Sequence, residues 1–351
     1  MSEKITINQE QASDIERRIK MNAFADSYLD GGTIGKFGSK ELLSTENYEE
    51  EKRLSKEREL FLQNFSIGEI LKTFLKEHTF IINQDGHIEI SHTIESELPV
   101  GYGFKGGSAR SLLREILGLK VIPPRDIDVI RLSAEEPYEG ADTEIAQKYM
   151  AQDFEFGDGV EFVDSTINYF NTRDFTINEV YTSESQIFAT EQCIRDTIRN
   201  IIRTTEYERR VYSKIGEIGS KMKAKMLRLH AEQMYSIGVS SIPENDRNEI
   251  EKSFINPFWL AVQLDRAFER SHEVAEQFTQ LLIENCIVPE YIKDSKDLGD
   301  YLLSEVYDFR FRNALHLQYQ IEENYNGDDY KQTDVDLLEN YFDVIHHGSK
   351  Y

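Results

Sequence analysis

Two aspartates open an apolar stretch in Arg125-Asp-Ile-Asp-Val-Ile-Arg131, and no other feature constrains the fold of this chain as strongly. Ile127 to Leu132 has the branched apolar run of a strand buried on both faces. Alternate side chains of a strand share a face, so Asp126 and Asp128 project together from its start. Two carboxylates in such proximity repel unless a cation lies between them. That arrangement binds divalent metal for phosphoryl transfer. Two acids on an exposed strand are the other reading of so short a motif.

The surrounding sequence favours the first reading. Upstream lies Phe104-Lys-Gly-Gly-Ser-Ala-Arg-Ser-Leu-Leu113, in which a glycine pair opens an amphipathic helix over 108–117. Glycines there let the backbone approach a phosphate, and a helix N-terminus offers free N–H donors and a positive dipole end. Arg110 is placed to contact phosphate oxygens. Earlier still, Ser66 to Glu77 reads as a helix with Ser66 as N-cap. Thr79–Ile82 and His87–Ser91 read as strands around the turn Asn83-Gln-Asp-Gly86, with a further short strand within 98–104. A glycine turn, a helix and then an Asp-x-Asp strand is the order of a polymerase-β-like nucleotidyltransferase fold.

Four blocks carry a more specific likeness. Gly106-Gly-Ser-Ala-Arg-Ser-Leu-Leu113, Asp126-Ile-Asp128, Thr172-Arg-Asp-Phe-Thr-Ile-Asn178 and Asp196-Thr-Ile-Arg-Asn-Ile-Ile-Arg-Thr204 occur in this order. Together they resemble the head domain of the tRNA CCA-adding enzyme and bacterial poly(A) polymerase family. The resemblance implies an α+β head with a mixed β-sheet, followed by an α-helical domain. It also implies transfer of a nucleoside monophosphate from a nucleoside triphosphate, ATP included, to an RNA 3′ end such as tRNA, with release of pyrophosphate.

The resemblance assigns roles residue by residue. Asp126 and Asp128 would bind magnesium, two ions in the family's scheme. Glu161, in Val160-Glu-Phe-Val163, would be the third catalytic acid, with Asp164 as the alternative. Gly106, Gly107, Ser108 and Arg110 would cradle the triphosphate, Arg173 would face phosphate, and Asp174 and Asn178 would read the ribose side. A cap or a local backbone bond is the plainer role for Asp174 and Asn178. Arg203 has two readings, an ion pair to a nearby acid or a substrate contact. Ser111 stands where the family has aspartate. The family's base-selecting block, Glu-Asp-x-x-Arg, has its nearest counterpart in Lys221-Met-Lys-Ala-Lys-Met-Leu-Arg228, which lacks the acids.

Charge bears on the acceptor. The 351-residue chain carries a net charge of −24, which opposes broad contact with a polyanion. Residues 195–228 reverse that sign, with ten Lys or Arg against four acids. There Lys221, Lys225 and Arg228 fall on one helical stripe, read either as RNA-phosphate contacts or as a solvated face. An acceptor that is a protein or a small molecule, or a non-catalytic nucleotide- or RNA-binding relative, are the alternatives.

The domain plan has three parts. Residues 1–65 read as a helical extension whose Gly31-Gly32-Thr-Ile-Gly35-Lys36 is a connector rather than a phosphate loop, since no strand precedes it. Residues 66–205 form the head. Its segment 133–159 reads as a solvated acidic insertion, because Ser133 to Asp164 holds ten acids and one lysine. Residues 206–351 read as helical, over Lys214–Met234, Arg247–Cys286 with a break near Pro257, and Leu298–Tyr325. No apolar run is long enough to span a membrane, no secretory signal pattern opens the chain, and two cysteines suit a reducing compartment, so a cytoplasmic protein is expected.

Overall fold

The computed structural model describes residues 52–54, 56, 62–75, 78–93, 98–149, 160–211, 218–251 and 254–302. The expected glycine-rich connector, most of the N-terminal helical extension and the end of the last helical stretch lie outside them. Within them the chain is mixed α+β, with two sheets, and divides into two compact units. The first runs to Tyr207 and takes in Ile237–Ser241; the second holds Glu208–Ser236 and the chain from Ile242 onward.

The first unit begins with α1 (Ile67–Phe74), fixed at its start by a capping box. The Ser66 N–H donates to the Glu69 carboxylate at 2.8 Å, while the Ser66 hydroxyl accepts from the Glu69 N–H. Two orphan donors of the first turn are thereby satisfied. The hairpin follows as β1 (Phe80–Ile82) and β2 (Ile88–Ser91), with Gly86 at φ 82° in the turn. Ile88 and Ile90 are buried and Glu89 is not, so a one-residue slip would turn both isoleucines outward.

Next come β3 (Tyr102–Lys105), α2 (Gly106–Ile116), β4 (Asp128–Arg131), α3 (Ala141–Tyr149), β5 (Glu161–Phe162) and α4 (Thr166–Asn171). A single 3₁₀ turn, Thr176–Asn178, leads to β6 (Val180–Thr182), β7 (Gln186–Ala189) and α5 (Glu191–Arg199). One sheet has the order β1-β2-β7-β6, antiparallel throughout. The other is mixed: β3 and β4 are antiparallel, β4 and β5 parallel. Thr182 joins them, its hydroxyl accepting from the Phe104 N–H at 3.0 Å. At Gly103 a Cβ would stand 1.8 Å from the Thr182 carbonyl oxygen, so this approach requires glycine.

The main core sets α2 (Ala109, Leu113) against Ile88, Ile90, Ile187 and Ile194. Strand β4 is buried on both faces, as its apolar run predicts. Ile127 and Val129 join Tyr102 and the helix α3, while Ile130 joins Tyr169, Phe170 and Tyr181.

Helix α3 corrects one expectation. The acidic stretch 133–159 is not simply solvated, because Ala141, Ile145, Ala146 and Tyr149 recur at helical spacing and are buried. Asp142 anchors it, accepting from the Tyr102 hydroxyl at 2.6 Å and from Arg131 Nε at 3.2 Å. The remainder of the insertion, 150–159, lies outside the described residues.

The division between units falls inside α6 (Glu206–Val211). In the second unit, α7 (Ser220–Ile237), α8 (Glu244–Ile250), α9 (Pro257–Phe268) and α10 (His272–Glu284) follow. The span 247–286, expected as one helix with a single break, is three. Pro257 opens α9 at the position where a missing N–H costs nothing. Ser271 then caps α10, its hydroxyl accepting from the Val274 N–H at 3.2 Å. No helix among the described residues is long and apolar enough to cross a membrane.

Candidate active site

The register of β3, β4 and β5 decides which side chains meet. Lys105 on β3 is the direct partner of Asp128 on β4, and Ile130 on β4 is the partner of Glu161 on β5. Paired residues share a face, as do residues two apart. Lys105, Asp128, Ile130 and Glu161 therefore project on one side of the sheet, the side that carries Tyr169 of α4.

The glycine pair sits at the same corner. Gly106 opens α2 in the left-handed region at φ 57°, and a Cβ on it would lie 2.2 Å from the Asp128 carboxylate. Its left-handed backbone suits glycine, and any side chain there would have to displace the Asp128 carboxylate. Gly107 is pressed against Pro124, where a Cβ would meet the proline ring at 3.2 Å. No side chain caps α2 and its first turn carries no acid, which leaves its N-terminal N–H groups aimed at this corner. Ser108 is buried and its hydroxyl lies 3.5 Å from the Asp126 carbonyl oxygen. Ser111, in place of an acid, donates to the Gly107 carbonyl at 2.9 Å and to the Ile122 carbonyl.

Two charge networks link the blocks. In one, Arg110 donates to the Asn178 side-chain oxygen, and the Asn178 amide donates to Asp174 at 2.5 Å. Asp174 also accepts from the Phe175 N–H at 2.8 Å, the local backbone bond its type predicts. In the other, Lys105 Nζ lies 2.8 Å from one Glu161 oxygen, and Arg173 Nη2 lies 2.6 Å from the other. Arg173 also rests its guanidinium over the Tyr169 ring, 4.1 Å from the centroid. Burial raises the Glu161 carboxyl, but Lys105 and Arg173 outweigh it and hold the group below the usual glutamate value.

The structure therefore brings together Gly106, Gly107, Ser108, Arg110, Asp126, Asp128, Glu161, Arg173, Asp174 and Asn178. Asp126 pairs with its neighbour Arg125. Oxygen donors at Asp126 and Asp128 suit a hard divalent cation such as magnesium. Glu161 does not join them, since both its oxygens are held by cations. Among the described residues, no cluster of three or more acid, histidine or cysteine side chains has metal-binding geometry.

Outside this corner, Arg203 takes the ion-pair reading. Its Nε lies 2.9 Å from the fully buried Asp196, which also accepts from the Thr176 hydroxyl at 2.7 Å. In the second unit the basic stripe loses a member. Arg228 is only 5% exposed; it pairs with Glu232 at 2.8 Å and donates to Gln263 at 2.8 Å. The helical spacing that suggested a stripe instead turns Arg228 inward with Met226 and Leu227. Lys221 and Lys225 stay partly exposed, and Lys221 lies over the Trp259 ring, 5.0 Å from the centroid.

Sequence reasoning misses Lys105, Arg125 and Tyr169. Lys105 carries a faint signal, being the residue before the glycine pair, but its partnership with Asp128 needs the strand register. Glu179 is missed too. Burial raises its carboxyl to about 7, opposed by a hydrogen bond from the Thr190 hydroxyl at 2.5 Å. No protein-family model matches the chain, and a search of curated proteins finds no match either.

Proposed function

We propose that this chain is a magnesium-dependent nucleotidyltransferase of the polymerase-β-like type, with RNA 3′ ends as the leading acceptor. The observation that carries this reading is the corner at Asp128, where blocks far apart in sequence meet. Gly106 abuts the Asp128 carboxylate, Lys105 and Glu161 flank it on neighbouring strands, and Arg173 and Arg110 tie in the block 172–178.

The residues divide the work. The N–H groups at Gly106–Ser108 and the Arg110 guanidinium would receive the triphosphate. Asp174 and Asn178 would orient the ribose side. Asp126 and Asp128 would hold magnesium, which supplies Lewis-acid charge at the α-phosphate when bound. The acceptor hydroxyl oxygen forms a bond to the α-phosphorus as the bond from α-phosphorus to the bridging oxygen breaks. Pyrophosphate leaves and the hydroxyl proton is released. Positioning and charge neutralisation carry the catalysis.

A second reading, transfer to a protein or a small molecule, draws support from Arg228. With that arginine paired inside the second unit, the basic stripe reduces to Lys221 and Lys225, against a net charge of −24. One experiment separates the readings. Full-length protein is incubated with magnesium, each α-labelled nucleoside triphosphate and total RNA. Label in RNA that falls at least about 100-fold in Asp128→Ala, the scale for loss of a charge-stabilising group, supports RNA as acceptor. Label confined to protein or small molecules moves the acceptor, and no pyrophosphate release with any acceptor sinks the enzyme reading.

A further inference from the structure

The third acid of the site is already taken. Both oxygens of Glu161 are engaged, one by the Lys105 ammonium and Arg173 Nη1, the other by Arg173 Nη2. Lys105 reaches Glu161 from β3 to β5, two strand spacings or roughly 10 Å. To do so its side chain must cross β4 on the face that bears Asp128 and Ile130. The side chain therefore passes over the face between Asp128 and Glu161 and sets its cationic head on the Glu161 carboxylate, beside the acid that a cation shared with Asp128 would use.

We propose that the site binds a single divalent ion, on Asp126 and Asp128, and that the Lys105 ammonium takes the place of a second one. The inference rests on the nucleotidyl-transfer reading of this corner. Charge balance supports it, since a carboxylate already matched by two cations has little attraction left for a divalent ion. Geometry supports it as well. An ammonium is a compact point charge on a flexible stem, able to turn from Glu161 toward a phosphate oxygen bound at the N-terminus of α2. Arg173, its planar head paired bidentately with Glu161 and stacked on Tyr169, holds the Glu161 carboxylate in place beside Lys105, and both cations are needed to match the site's negative charge. Lys105 thus serves as a triphosphate ligand and Glu161 as its positioning residue rather than a metal ligand.

Counting ions tests this without any turnover. Full-length protein is titrated with manganese and the non-hydrolysable α,β-methylene analogue of ATP, and bound manganese is read from the loss of the free-ion paramagnetic resonance signal. The wild type is expected to hold one manganese per bound nucleotide. Lys105→Met, which keeps length and removes charge, is expected to hold two and to bind nucleotide at least tenfold more weakly. The double variant Lys105→Met with Glu161→Gln should return to one, and Lys105→Arg should stay at one. Two ions on the wild type would overturn the proposal outright, with no dependence on whether a variant folds. A count of one in Lys105→Met would overturn it as well. Failure of the wild type to bind the nucleotide, or binding left unchanged by Asp128→Asn, would instead remove the nucleotidyl-transfer reading beneath it.

Discussion

The two units each hold a glutamate clamped between two cations, and the two clusters differ in exposure. In the first, Glu161 sits between Lys105 and Arg173 on a partly exposed sheet face, with its members drawn from two strands and the loop that follows α4. In the second, Glu232 sits between Arg228 at 2.8 Å and Arg270 at 2.5 Å, and all three are nearly removed from solvent. A partly exposed cluster can exchange partners with a ligand, because water and counter-ions share the cost of separating the charges. A buried one cannot, since a charge left behind in the interior has nothing to replace its partner. The same pairing is thus partly open to solvent in one unit and part of the interior in the other.

The contrast breaks most sharply at Glu232. Glu232→Ala removes the carboxylate shared by two buried guanidinium groups and should lower stability by about 3–5 kcal/mol. Urea denaturation would read this as a lower midpoint, while nucleotide affinity of the folded protein stays within a factor of two. A midpoint that does not move would mean that the Glu232 cluster is no more structural than the Glu161 one.

A smaller effect is expected at Glu179. Its folded value of about 7 lies above the usual 4.5, so the folded state binds the extra proton between those values. The stability this contributes is complete below about pH 4.5 and is lost as pH rises through 7. Wild type should therefore lose on the order of 2 kcal/mol relative to Glu179→Gln between pH 5 and pH 8, after allowance for partial exposure. Equal pH slopes in urea midpoints for the two proteins would refute it. The neighbouring Asp196 gains Arg203 as a partner, so the pair contrasts a neutralised buried acid with one that relies on a hydroxyl.

The smallest stability effect belongs to Gly106. Forcing alanine into its left-handed conformation costs about 1–2 kcal/mol of fold stability. The added methyl also displaces the Asp128 carboxylate, so manganese–nucleotide affinity should fall at least tenfold. Calorimetric titration showing unchanged affinity in Gly106→Ala would separate the glycine pair from the acid site.

Local structure was largely legible. The Asn83–Gly86 turn between apolar alternations specifies the β1–β2 hairpin, and Ser66 with Glu69 specifies the start of α1. The residues that gather at Asp128 were also named by their blocks. Where legibility ended, a side chain's environment depended on distant chain. The charge density of 133–159 hides the buried face of α3, because Ala141, Ile145, Ala146 and Tyr149 are few among so many acids. Arg228 reads as one of three equivalent cations on a helix until Glu232, Gln263 and Arg270 close around it.

The sequence alone determined the start of α1, the β1–β2 hairpin and the buried apolar run of β4, and it named two carboxylates and a glycine pair as one set. These are local properties, set by side-chain period, backbone freedom and capping. Only the tertiary structure decided which acid receives which cation. Lys105 meets Glu161 because β3 and β5 flank β4 in one particular register, and Arg228 meets Glu232 and Gln263 because the helices of its unit pack around them. Electrostatic partnership depends on distance through space and on exclusion of water, and neither is written in the spacing of residues along a chain.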